Sequence, residues 1–450
     1  MKRLIEGGWI WTGGDHDRDR LIEDGAVLIA GERIEAVLTR EERSSRPISP
    51  EVERIDGSGK LIIPGLINAH THLYSSLARG MALPGFAPTS FTQILEQLWW
   101  RLDKALDPQS VKMSALIGAM EAARCGVTTL IDHHASPHAV RGSLRAVQQA
   151  VNDDLGLRGA FCYELSDRDG IAIRDEGIEE NLEFLSSDDP KETMSGALFG
   201  LHASFTLSDD SLATVAERIP DGIGVHIHVA EGAEDEEQCQ AEHGMRIIER
   251  LRKFNLLRER SILAHCLHIN EKEKDLVAES GAIVVHNPRS NMNNAVGVFD
   301  MDGFLDRGIT VGLGTDGLGA NMLAELFTVG ILQKVSTGNS LAAGFGDLQQ
   351  ILFANNPRIV GRLLGAKVGR IAPGYQADIA LFDYNPPTPI DAGNVLGHLL
   401  FGIAVHDLHV SDLIVAGRLV IDGGHFTNID EDKTYSEARE VTAKLWARIS

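Results

Sequence analysis

Eight short apolar runs alternate with helical stretches through the middle of the chain, and this alternation restricts the folds open to it. The runs cover residues 61–66, 127–131, 159–163, 197–202, 224–228, 261–265, 282–286 and 310–313. The segments between them carry helix punctuation. Asp107-Pro108 reads as an N-cap followed by proline at the first helical position, and Met113, Leu116, Ile117 and Met120 follow at helical spacing. Asn270 caps a helix over 271–280, and Gly281 ends it. Eight strands alternating with helices give an α/β chain whose strands run parallel, and they close into a (β/α)8 TIM-type barrel in preference to an open doubly wound sheet.

The two ends follow another pattern. Short strands with turns occupy 25–31 and 33–38, and the same texture returns over 377–382 and 413–420 before a closing helix near 435–450. The flanks are expected to pair into one composite β-sandwich. The expected domains are therefore 1–60 for its N-terminal part, 61–365 for the barrel, and 366–450 for its C-terminal part with the closing helix. The chain has 42 Lys and Arg against 64 Asp and Glu, a net charge of −22. So acidic a surface repels phosphate backbones and anionic lipid, so neither nucleic acid nor membrane is an expected partner. No apolar run reaches the roughly 18–20 residues of a membrane span. The opening residues 1–8 lack the apolar core of an export signal. Cys125, Cys162, Cys239 and Cys266 form no CxxC pair, which suits reduced thiols, and a cytoplasmic location is expected.

The chemistry gathers at strand ends. His70 and His72 stand two apart beside the first apolar run, so both imidazoles project to one face of an extended segment. At the carboxyl end of a barrel strand that face is the mouth, where barrel active sites are built. His226 and His228 repeat the spacing at the end of the fifth run, and Glu231 follows three residues later. His265 ends the sixth run and Asp316 follows the eighth. Imidazoles with one carboxylate suit Zn²⁺ or Fe²⁺ better than Mg²⁺ or Ca²⁺, which want oxygen shells. Residues 312–317 also satisfy GxGxxG, but Asp316 inside such a loop would repel a pyrophosphate. Neither a GxxxxGK[ST] loop nor the HxE and PCxxC pair of another zinc deaminase fold is present.

These residues, with Pro64-Gly65-Leu66-Ile67-Asn68-Ala69-His70-Thr71-His72, Gly314-Thr315-Asp316 and the tail Gly369-Arg370-Ile371-Ala372-Pro373-Gly374, resemble the amidohydrolase superfamily across nearly the whole chain. Trp99-Trp100-Arg101-Leu102-Asp103, Ile131-Asp132-His133-His134 and His286-Asn287-Pro288-Arg289-Ser290-Asn291 look most like its SsnA-type aminohydrolases. The resemblance implies that His70, His72, His228 and Asp316 hold one divalent metal per subunit, Zn²⁺ first and Fe²⁺ second. The fourth run, 197–205, has no lysine of the kind whose carbamate bridges two metals in relatives. It also implies a deaminase that hydrolyses an exocyclic C–N bond of a small nitrogen heterocycle (purine, pterin, pyrimidine or triazine-like) and releases ammonia. A homo-oligomer, dimer or higher, goes with that implication. Alternatives are another leaving group, such as halide or an opened cyclic amide, or a fold-retaining assembly protein without catalysis.

Residue types then suggest roles. Asp316 can take a proton from water, Glu231 can shuttle protons to a ring nitrogen and the leaving amine, and His265 can hold the water or the oxyanion. His202, Arg289, Asn291 and Trp99 are the candidate substrate contacts. His202 reads equally as a satisfied core histidine. Adjacent tryptophans on a helix point about 100° apart, so only one of Trp99 and Trp100 is expected to face the site. His133, His134 and His138 are expected in loops or behind the ligands.

Overall fold

The first apolar run breaks in two at Pro64-Gly65 in the computed structural model, which describes residues 2–14, 19–187 and 193–449. Met1 and Ser450, the outer ends of the two flanking segments, lie outside the described residues. Lys60–Pro64 is antiparallel to Ile379–Asp383 and parallel to Trp9–Trp11, so it belongs to the flanking sheets and not to the barrel. The first barrel strand, β1, is Leu66–Thr71. Apolar patterning cannot separate these pieces, since both are fully buried. The break comes from close packing: a Cβ on Gly65 would sit 2.3 Å from the Thr128 side chain.

The remaining barrel strands are β2 (Val127–His134), β3 (Arg158–Tyr163), β4 (Phe199–Ala203), β5 (Val225–Val229), β6 (Ile262–His265), β7 (Ile283–His286) and β8 (Thr310–Leu313). The fourth run, like the first, is split. Ser195–Ala197 pairs with β3, while Phe199–Ala203 pairs with β5. All neighbouring pairs are parallel, and single bridges between Leu165 and Leu201 and between Thr71 and Asp316 close the ring. Asn356 seals the β8/β1 seam. Its amide donates to the Ile67 and Leu313 carbonyls at 2.8 and 2.9 Å and accepts from Leu313 N at 2.9 Å. The helix it starts, Asn356–Leu364, places Ile359, Val360 and Leu363 in the same apolar cluster as Ile67, Ile131, Ile262 and Ile283. The opposite end of the barrel stays polar.

The helices end where local chemistry says they should. Asp107 accepts from Ser110 N at 2.8 Å to start Pro108–Arg124, and Asn270 accepts from Glu273 N at 3.0 Å to start Glu271–Ser280. The flanks form a seven-stranded and a four-stranded sheet that enclose Ile5, Ile10, Ile29, Ile62, Ile379 and Ile414. The closing helix Glu431–Ile449 leaves this sandwich and packs on the barrel helices. There Trp446 Nε1 donates to the Leu77 carbonyl at 2.9 Å, and Arg101 donates to the Ile449 carbonyl at 2.6 Å.

A buried ion pair ties the barrel to the sandwich. Arg158 of β3 meets the carboxylate of Asp378 at 3.0 Å, and both side chains are essentially excluded from water. Asp378 also accepts from Ala416 N at 2.7 Å. Removing one partner strands the other charge in a medium that cannot solvate it, which typically costs ~3–5 kcal/mol. Asp378→Ala is therefore expected to lower stability by about that much in equilibrium denaturant unfolding. A midpoint equal to wild type would refute the structural role of this pair.

Candidate active site

The polar end of the barrel gathers side chains from seven strands. His70 and Thr71 end β1, and His72 follows directly. His133 and His134 end β2, His202 lies in β4, His226 and His228 in β5, and His265 ends β6. Glu164 follows β3, Glu231 follows β5, and Asp316 follows β8. All of these residues are buried. His265 and Asp316 hold left-handed backbone, with φ of 72° and 56°. That region is unfavourable for side-chain-bearing residues and persists only where the surroundings enforce it. At Asp316 the cause is visible: Thr315 N and Asp316 N both donate to the His70 carbonyl, at 3.1 and 3.0 Å.

Second contacts fix the imidazoles. His72 Nδ1 donates to the His133 carbonyl at 2.6 Å and His228 Nδ1 to the His202 carbonyl at 2.9 Å. Both Nε2 atoms therefore present lone pairs in the neutral rings, and they lie only 3.0 Å apart. Asp316 Oδ1 stands 3.0 Å from His72 Nε2 and 3.6 Å from His70 Nε2. His70 Nδ1 is engaged by His226 Nε2 at 2.8 Å, while the buried Nε2 atoms of His70 and His265 have no hydrogen-bond partner. Lone pairs and a carboxylate crowded around one point repel unless a proton or a metal cation lies between them. The donor set fits a divalent metal ion of the imidazole-preferring kind. One donor atom from each of His70, His228, His265 and Asp316 lies within 4.8 Å of the others, and the same holds for His70, His72, His133 and His228.

Electrostatics follow the same geometry. Burial pushes the His70 pKa down to about 4 against the pull of Asp316. Burial also opposes protonation of His72, but Asp316 and Glu164 outweigh it and hold the pKa at about 9. Asp316 is held well below the usual carboxylate range because His70 and His72 outweigh its burial. Glu231 is raised by burial and then by the charge of Asp316, while burial lifts Glu164 to about 7.

A cavity opens over this cluster. Glu231 lines it, with Oε2 3.4 Å from His265 Nε2 and Oε1 accepting from Asn294 at 3.1 Å. His202 also lines it. Trp99 and Trp100 both border it, contrary to the expectation that only one would. They stand where the π-helical turn Leu95–Trp99 runs into the helix Trp100–Ala105, and the cavity curves around this junction. Trp99 also faces an adjoining space.

Arg289 and Asn291 are not on the wall. Arg289 is turned toward the buried Glu325 of the helix Met322–Thr337, whose carboxylate also accepts from its backbone N–H at 3.2 Å. Asn291 stands behind His265, and its Oδ1 accepts from His265 Nδ1 at 2.8 Å, so it orients the imidazole. His133 and His134 are fully buried in β2 and not in a loop, whereas His138 is exposed. Glu164 was not singled out from the sequence, although a carboxylate directly after a barrel strand is the signal that marked Asp316.

Fold and site together define a (β/α)8 barrel with a buried imidazole–carboxylate cluster, able to hold a metal ion, at the carboxyl ends of its strands. The chain belongs to the Amidohydrolase family, whose profile matches residues 61–420. It is 30% identical over 435 residues to the 5'-deoxyadenosine deaminase of Methanopyrus kandleri, covering 95% of this chain and 96% of that one. It is 32% identical over 441 residues to the 5-methylthioadenosine/S-adenosylhomocysteine deaminase of Nitratidesulfovibrio vulgaris, covering 96% and 94%. Among solved structures, a zinc-bound adenosine deaminase from Xanthomonas campestris superposes with a TM-score of 0.83 at 25% identity, covering 98% of each chain.

Proposed function

We propose that the protein is a metal-dependent aminohydrolase that replaces the exocyclic amino group of a small nitrogen heterocycle with oxygen and releases ammonia. It acts as a hydrolase of carbon–nitrogen bonds other than peptide bonds. The observation that carries this reading is the placement of Glu231 beside His265, on the wall of an aromatic-lined cavity directly over the imidazole–carboxylate cluster. Relatives named for 5'-deoxyadenosine and 5-methylthioadenosine favour a purine ring, and the adjoining space past Trp99 leaves room for a substituent on it.

His70, His72, His228 and Asp316 would hold one divalent ion, Zn²⁺ before Fe²⁺. When bound, the ion lowers the pKa of water toward neutrality and makes hydroxide available at pH 7. Asp316, steadied by the Ser290 hydroxyl, accepts the proton of the attacking water. Glu231 gives its proton to the ring nitrogen beside the reacting carbon, takes up the hydroxyl proton of the tetrahedral adduct and passes it to the departing amine, and the proton held by Asp316 then restores Glu231. His265 commits its Nδ1 proton to Asn291, so its Nε2 lone pair accepts a hydrogen bond from the water. It can donate to a developing oxyanion only after Nε2 is protonated. Trp99, Trp100 and Phe205 enclose a flat ring by stacking.

The test is ammonia release from amino-substituted purines, pterins, pyrimidines and triazines by zinc-loaded protein, with Glu231→Gln as the blank. Release from one ring class, absent in the variant, is the expected result. Silence across the panel with stoichiometric zinc bound would overturn deamination and leave another leaving group.

A further inference from the structure

The cavity wall is rich in carboxyl groups. Among the described residues no lysine or arginine lines it, while Glu164, Glu231, Asp235 and Asp316 do. Glu231 and Asp316 have work in the reaction above, and Asp235 accepts from Ala230 N at 3.0 Å. Glu164 has no such use. It is only 5% exposed, with Oε2 turned inward, 3.7 Å from the Nδ1 atoms of both His72 and His133, and Oε1 beside His202. Oε1, with only the His202 ring nitrogen beside it at 3.5 Å among the described residues, is the oxygen able to accept a hydrogen bond from a group that enters the cavity.

Its neighbour is an acceptor too. The Thr206 hydroxyl donates to the Ala203 carbonyl at 3.1 Å, so its oxygen accepts from His202 Nδ1 at 2.7 Å. His202 Nε2 is then a bare lone pair, 3.5 Å from Glu164 Oε1. The nearby guanidinium of Arg168 lies over the Trp100 ring at 5.0 Å, pairs with Asp103, and donates to Ser166 Oγ at 3.1 Å. It does not line the cavity.

We infer that Glu164 is a specificity-determining residue that accepts a hydrogen bond from an N–H, O–H or cationic group of the substrate, so the site takes neutral or cationic amino-heterocycles and rejects those bearing phosphate. The inference rests on the aminohydrolase reading for the nature of the ring, and its test separates the two. A phosphate would approach four carboxyl groups, of which Asp316 is held ionised, with no lysine or arginine on the wall to pair with it, and like-charge juxtaposition is unfavourable. An ion held by His70, His72, His228 and Asp316 would be engaged with the reacting carbon and its water, away from a phosphate at the other end of the substrate.

Binding is read by calorimetry on zinc-loaded Glu231→Gln, whose slow turnover leaves the ligands intact. The probes are adenosine, 5'-amino-5'-deoxyadenosine and adenosine 5'-monophosphate. The monophosphate is expected to bind at least about a hundredfold more weakly than adenosine. Adding Glu164→Gln should weaken the amine by about tenfold or more, weaken adenosine less, and narrow the gap to the monophosphate. Glu164→Asp, which keeps the charge, should restore the order of preference. Monophosphate binding as tight as that of adenosine would overturn the inference. So would an equal loss for all three ligands in Glu164→Gln, the signature of a merely structural role, or no binding of any of them. Selective binding by the variant with no ammonia from wild type would retire the aminohydrolase reading and leave Glu164 standing.

Discussion

Asp316→Ala is expected to lose its metal and its turnover together. Among the described residues, Asp316 is the one carboxylate whose oxygen faces both His70 and His72, at 3.6 and 3.0 Å. Without it the cluster would offer an ion only neutral imidazoles, and the attacking water would have no carboxylate to accept its proton. Turnover should fall by more than about a thousandfold, since ion and proton acceptor fail at once. Elemental analysis after dialysis should show trace metal in the variant against one equivalent in wild type. Asp316→Asn separates chemistry from folding, because it keeps the shape and the left-handed backbone and removes only the charge. It should melt near wild type yet still lose most activity. Chelation of wild type should reproduce the loss, and added Zn²⁺ should restore it. Stoichiometric metal with full activity in Asp316→Ala would refute the assignment.

The sequence carried the barrel because parallel strands are buried on both faces and therefore read as unbroken apolar runs. The same property hid the two breaks. Nothing in the apolarity of 61–66 distinguishes a sandwich strand ending at Pro64 from a barrel strand starting at Leu66. The split depends on how closely Gly65 approaches Thr128, a residue 63 positions away in sequence. The site was legible where spacing alone aims a side chain, as in the pairs His70/His72 and His226/His228. It was not legible where aim depends on a distant partner. Arg289 turns to Glu325, and Asn291 turns to His265 because the helix Pro288–Asn293 brings it there. Trp100 reaches the cavity through a π-helical turn that residue spacing on an ordinary helix does not anticipate. Glu164 differs from these, since the rule that marked Asp316 also applied to it.

Glu231→Gln tests the division of labour within the site. The amide is nearly isosteric, and its oxygen can still accept from Asn294, so the side chain should stay beside His265. Glu231 is not among the residues assigned to the ion, so metal content should match wild type. What disappears is the capacity to carry a proton to the ring nitrogen and the leaving amine, a contribution of ~10²–10⁴ in rate for a placed general acid. Turnover should fall by that factor. The pH dependence gives a second readout. Burial and the charge of Asp316 raise the Glu231 pKa, so the carboxyl keeps its proton above the usual carboxylate range. Below that raised pKa it can protonate the ring, and as pH rises through it the proton is lost. Wild-type kcat should therefore show a limb that falls with rising pH, and the Gln variant should lack it while keeping any limb set by ionisation of the water. A variant with turnover within a few-fold of wild type and an unchanged pH profile would remove Glu231 from the proton path, leaving Asp316 and His265 to carry the protons between them.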